Sequence, residues 1–250
     1  MANDYVGSWS NPYFSNSSPV TNRTLSVTVP GGLSNSKMLV FAGATNGPIS
    51  GVGHPAISSF TLNSNAMSSV GNTGGSAQYN KAFLYEYDDP ASGTYNASVT
   101  FTQIQDGVIL TAVLFEDTDE NFYRDTVFTR ATTGLPGYVQ MVNESAIDGD
   151  QVFTFFVGDD DGAGALGDVV FVTTPDTELF TYDGYDLSNY YAGTLVQTKA
   201  SGSHTESIRV TDGVANSYNG ISIAVGSGSS VPATFIPIAS YHYNFHLRSH

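Results

Sequence analysis

Apolar residues along this chain come in short runs, and almost nowhere do they repeat with the 3.6-residue period of a helix. "TLSVTVP", from Thr24, sends Leu25, Val27 and Val29 to one side and polar residues to the other, the alternation of a half-buried strand. "KMLVFAGA", from Lys37, is apolar at nearly every position and predicts a strand covered on both faces. "GVILTAVLFEDTD" is the most apolar run of all. "KAFLYEYDDP", the turn "PASGTY" and "NASVTFTQI" predict a hairpin, and "ISSFTLN" with "SSVGNTG" predicts a second strand pair. Further runs follow: "TVFTRATT", "GYVQMVNESA", "DQVFTFFVGDD", "DVVFVTT", "ELFTYDGY", "TLVQTKAS", "SIRVTD" and "NGISIAVG". Glycine-bearing turns such as "PGG", "NG", "DG" and "GG" supply the positive-φ positions that strand reversals need. Many short strands at a spacing of roughly ten residues predict an all-β fold, a mostly antiparallel β-sandwich of jelly-roll or immunoglobulin-like type.

No linker composition divides the chain and no repeat period is visible, so the pattern predicts one sandwich over residues 20–226. An N-terminal arm (1–19) and a C-terminal extension (227–250) would flank it. The extension ends in "ASYHYNFHLRSH", where Tyr241, Tyr243, Phe245 and Leu247 fall on one face of a strand, after Phe235 and two stiffening prolines, Pro232 and Pro237. A strand exposing such a face is an aggregation hazard, so it is expected to pair, by strand addition, with a neighbouring subunit or the sandwich edge. Trp9, Tyr13 and Phe14 give the N-terminus a similar character and predict a second assembly arm.

Charge narrows the partners. Eight Lys and Arg against 23 Asp and Glu leave the chain at −15, which repels phosphate backbones and anionic lipid, so neither nucleic acid nor a membrane is expected. There is no cysteine, hence no disulfide or thiolate chemistry, and the N-terminus lacks a basic region followed by an apolar run, the pattern of a secretory signal.

Candidate chemistry is sparse. "EDTDENFYRD" spaces Asp117 and Asp119 as a calcium loop would, but Phe122 stands where its glycine belongs; "GDDDGAGALGD" offers Asp159, Asp160 and Asp161. Structural calcium follows if these two acidic loops meet; otherwise both are solvated turns. His242, His246 and His250 are spaced by four, yet on a strand that separation is about 13 Å, too far for one ion. Ser222 in "GISIA" is a near miss for a nucleophile elbow, lying within a strand. Glu86, Glu116, Glu144 and Glu206 are not paired by spacing, so no catalytic residue is assigned and no enzyme is expected. Sequons at Asn16, Asn22, Asn96 and Asn143 are what a chain rich in Asn, Ser and Thr produces by chance. In "YDGYDLSNYY", Tyr185, Tyr190 and Tyr191 are candidates for contact with a sugar or a protein surface.

The succession "LSVTVPGGLSNSKMLVFAGA", "AFLYEYDDPASGTYNASVTF", "VILTAVLFEDTD", "IDGDQVFTFFVG", "YNGISIAVGSG" resembles a loosely defined group of β-sandwich domains from phage tail or capsid accessory proteins and bacterial surface proteins. The resemblance covers about residues 24–226 and implies a fold and a setting rather than a catalytic residue. It leads to the expectation of a virion structural protein: a capsid decoration, head-fibre or tail accessory subunit, made in the host cytoplasm. Such a subunit would form a homo-oligomer, a trimer by analogy, and contact other virion proteins. The alternative is a carbohydrate- or receptor-binding module.

Overall fold

The computed structural model describes residues 3–15, 18–46, 55–74, 80–118, 122–131, 139–160, 169–171, 175–186, 189–210 and 215–226, and among these there is no helix. Residues 4–116 form β1 (Asp4–Phe14), β2 (Val20–Val29), β3 (Lys37–Thr45), β4 (Ile57–Leu62), β5 (Asn65–Ala66), β6 (Ser68–Asn72), β7 (Asn80–Asp88), β8 (Gly93–Gln105) and β9 (Gly107–Glu116). Residues 123–225 form β10 (Tyr123–Ala131), β11 (Val139–Asn143), β12 (Gln151–Asp160), β13 (Val169–Phe171), β14 (Thr177–Asp186), β15 (Asn189–Lys199), β16 (His204–Val210) and β17 (Ala215–Val225).

Hydrophobic patterning decides which layer each strand occupies. Alternating strands form outer sheets: β2 buries Leu25, Val27 and Val29 and exposes Thr24, Ser26 and Thr28. It belongs to sheet I, in the order β2-β8-β4-β5. Strands apolar on both faces lie inside: β3 and β9 are buried along almost their whole length, in sheet II, ordered β1-β9-β3-β7-β6. Sheet III (β10-β17-β12-β15-β14) is the second inner layer, and sheet IV (β11-β16-β13) is the other outer one.

Three apolar layers hold the four sheets together. Leu25, Val27, Val99 and Phe101 of sheet I meet Met38, Val40, Leu110 and Leu114 of sheet II. On the opposite face of sheet II, Leu39, Phe41, Val113 and Phe115 meet Phe153, Phe155, Leu195 and Ile223 of sheet III. Beyond that, Phe156, Ala192 and Tyr218 of sheet III pack on Val139, Met141 and Ile208 of sheet IV. The central layer is the most aromatic. Phe115 lies edge-on to Phe153 at 5.1 Å and to Phe122 at 5.0 Å, and Phe41 tilts against Phe155 at 5.4 Å, arrangements each worth about 0.5–1.5 kcal/mol beyond area burial.

The sheet order carries a regularity. In residues 4–116 the first strand pairs with the last (β1–β9), the second with the last but one (β2–β8), and β3 with β7. That nested pairing, folded over into two sheets, is a jelly roll. Residues 123–225 do the same with β10–β17, β11–β16 and β12–β15. The cross-pairings match as well: β3–β9 answers β12–β17, β4–β8 answers β13–β16, and β6–β7 answers β14–β15. The chain is thus two stacked jelly rolls of one topology, sharing the aromatic layer between sheets II and III.

This corrects four expectations. Residues 20–226 form two sandwiches rather than one. The segment "KAFLYEYDDPASGTYNASVTF" is not a hairpin: β7 lies in sheet II and β8 in sheet I, because both direct apolar residues (Phe83; Ala97, Val99, Phe101) into the layer between those sheets. Asp89 and Gly93, at φ 48° and 142°, carry the chain across this corner. Likewise β4 pairs with β5 in sheet I while β6 pairs with β7 in sheet II. Finally, residues 4–14 are no free arm. They form the edge strand of sheet II, in register with β9 from Asp4–Glu116 to Phe14–Gly107.

Candidate functional surfaces

Trp9, Tyr13 and Phe14, expected to reach a neighbour, are used at home. Trp9 packs on the layer between sheets I and II, and Phe14 on the layer between sheets II and III. The Arg23 guanidinium sits over the Tyr13 ring at 5.0 Å and donates to Asn11 Oδ1 at 2.6 Å, tying β1 to β2. Tyr191 is fully buried and stacks on Phe14 at 5.8 Å, so one residue expected on a contact rim and one expected on an arm meet inside the molecule. Tyr185 and Tyr190 pair with each other through the β14–β15 backbone. Phe235, Tyr241, Tyr243, Phe245 and Leu247, and the three C-terminal histidines, lie outside the described residues.

The described parts of the two acidic loops lie apart. Asp117 follows β9, whose last residues face Phe153 at the start of β12, and Asp159 and Asp160 end β12, about 20 Å further along the strand. Asp117 has its own role: at φ 52°, it accepts a hydrogen bond from Ser34 Oγ at 2.6 Å, and its N–H donates to the Ser34 carbonyl at 2.9 Å. Asp119 and Asp161 fall outside the described residues. Among the described residues, no group of three His, Cys, Asp or Glu side chains is placed to hold a metal.

Beside Asp117 is an ionic cluster that spans both jelly rolls. Lys37 Nζ lies 3.1 Å from Glu86 Oε2 and also bonds Asp88, and Tyr123 donates its hydroxyl to Glu86 Oε2 at 2.6 Å. Lys37 further faces the rings of Phe122 and Tyr123 at 5.6 and 5.9 Å. Burial lowers the ammonium's pKa, but the bonds to Asp88 and Glu86 outweigh it, so the net shift is upward. Burial, then the Glu86 bond and charge, drives the Tyr123 phenol up as well, so both groups keep their protons at neutral pH. The cluster is a clamp between β3, β7 and β10. Near it, Pro30, Gly32, Leu33, Ser36, Asp89 and Pro90 surround a half-open pocket of about 190 Å³, small for an organic ligand.

Ser222 is fully buried in β17, hydrogen-bonded to Asn143 and 2.9 Å from Thr154 Oγ1. It links sheets III and IV, just as Asn219 donates to Asn80 between sheets III and II. Of the four glutamates, Glu86 is held by the clamp and Glu206 is buried 3.4 Å from His204 Nε2. The Glu116 carboxyl, at the end of β9, is raised mainly by burial, with Asp117 and Asp4 adding to the effect.

Sequence reasoning missed the outer face of sheet I. Its rows run across three strands by register: Thr24–Ser98–Thr61 and Asn22–Thr100–Ser59, with Ser26–Asn96 and Thr28–Thr94 beyond. Thr24 and Ser98 hydroxyls are 3.0 Å apart, and Thr28 and Thr94 hydroxyls 3.5 Å. These rows contain no charged side chain, in a chain of net charge −15. Their backbone positions repeat at about 4.8 Å across strands and about 6.8 Å along them, an array of hydroxyl and amide donors and acceptors. The alternating Ser and Thr were legible in the sequence, but which strands would bring them side by side was not. Compared with protein-family models, with curated proteins and with solved structures, the chain finds no match.

Proposed function

We propose that this chain is a virion structural protein, a capsid decoration, head-fibre or tail accessory subunit that assembles into a homo-oligomer through its C-terminal segment. The observation that carries this reading is the nested strand pairing found twice in one chain. Jelly rolls recur in viral capsid domains, and this likeness of fold supports the setting by analogy. Two features support it. The chain's net charge of −15 disfavours nucleic acid, as suits an outer component. The C-terminal sequence adds an alternating aromatic run after β17, the last described strand. The N-terminal segment is already committed to sheet II as β1, so the reading rests assembly on the C-terminal segment. Immunolabelling of the native source with an antibody raised to the chain tests this by electron microscopy. Label on regular shells or tails is expected; label confined to cell envelopes or to unassembled protein overturns the reading.

The uncharged hydroxyl face of sheet I favours a second function within the same setting, attachment to a neutral surface glycan. Replacing Thr24 and Thr61 by Lys on that face abolishes glycan-array binding in this account, and unchanged binding would remove sheet I from it.

A further inference from the structure

The turn between β8 and β9 holds a carboxylate with no counterpart. Asp106 is fully buried, and neither carboxylate oxygen has a hydrogen-bond partner. Its backbone is fixed on both sides: the N–H donates to the Thr45 carbonyl at 2.8 Å, and the carbonyl accepts from the Ser15 N–H at 2.9 Å. The neighbouring Gln105 is also fully buried. Its Nε2 donates to the Gln103 carbonyl at 3.0 Å, which leaves Oε1 without a donor. Three buried oxygens on adjacent residues therefore seek positive charge or protons, and Gln103 Oε1 already accepts from Asn46 Nδ2 at 3.5 Å.

A buried carboxylate without a partner costs several kcal/mol unless something neutralises it. A proton on Asp106 would serve one of the remaining acceptors and leave the others unmet. A hard cation serves several oxygens at once, because such ions prefer carboxylate, amide and carbonyl oxygen and gather six or more of them. The turn also lies at the end of the molecule where β12 runs out into Asp159 and Asp160, since β12 pairs there with Tyr191, whose ring borders Gly107. We propose that the Asp106 turn is a cation site, taking one hard metal ion through the Asp106 carboxylate with Gln105 Oε1 as a neighbouring ligand. It uses none of Asp117, Asp119 and Asp159–Asp161, for which the sequence suggests calcium, and is independent of the virion reading.

The test is thermal melting of the full chain at pH 8 in choline chloride, with Na⁺ or Ca²⁺ substituted at constant ionic strength, for the parent and for Asp106→Asn. The parent should melt several degrees higher with one of the metal ions than in choline, and the identity of that ion names the occupant. Asp106→Asn should melt higher than the parent in choline, its amide now donating to the orphaned oxygens, and should ignore both metals. Equal melting of the parent in all three salts overturns the site, as does a metal response that survives in Asp106→Asn. Should that variant fail to fold, Gln105→Met replaces it. Equilibrium dialysis of labelled calcium and sodium must then show a several-fold weaker site than in the parent, and equal affinity overturns the proposal.

Discussion

Gly43 lies at a close approach of sheets II and III. A Cβ there would overlap the Val157 side chain and stand 2.8 Å from the Tyr191 hydroxyl. Gly43→Ala is therefore expected to destabilise the fold by about 1–3 kcal/mol, the usual cost of overpacking, read as a lower denaturation midpoint. An unchanged midpoint would mean that the sheets are not in contact at this point. Asp106 supports a prediction about pH. Burial raises its pKa from 3.8 to about 6, so the folded state holds the proton more tightly than the unfolded chain. Its contribution to stability is complete below about pH 4 and is lost as pH rises to about 6, the parent losing about 1–3 kcal/mol relative to Asp106→Asn across that window without metal. Parallel pH profiles for the two proteins would contradict the burial of this group. At this scale the sequence was least informative. Nothing in "QIQDGV" separates a buried Asp106 from an exposed turn residue, because the groups that fix its backbone belong to Ser15 and Thr45, far along the chain.

Strands were legible because binary patterning is local; their partners were not. Alternation in β2 and the continuous apolar runs of β3 and β9 assign each strand correctly to an outer or inner sheet. The corner at Asp89–Gly93 resembles a hairpin turn in composition, and only the two-layer core shows that its strands part company. Aromatic residues misled in a related way: Trp9, Phe14 and Tyr191 look like contact residues in isolation and serve as core. Removing residues 1–15 therefore strips an edge strand and its rings from sheet II. It should yield an insoluble or strongly destabilised protein, measured by soluble yield and melting, whereas a free arm could be removed without loss. Tyr123→Phe deletes one bond of the clamp between β10 and β7 and is expected to cost about 1–2 kcal/mol in denaturant titrations. No loss would show that the two jelly rolls do not depend on that clamp.

At the scale of the whole molecule, the repeated topology was invisible because jelly rolls constrain pattern rather than residue identity, and the two halves share no recognisable period. The shared layer of Phe41, Phe115, Phe153 and Phe155 makes each roll the other's cover, so unfolding is expected as one cooperative calorimetric transition rather than two. Association is assigned to the aromatic sequence beyond residue 226. Sedimentation velocity of the full chain beside a version ending at Gly226 tests the assembly role most directly. A defined homo-oligomer for the full chain and a folded monomer for the shortened one is the predicted result; the same mass per particle for both would contradict it.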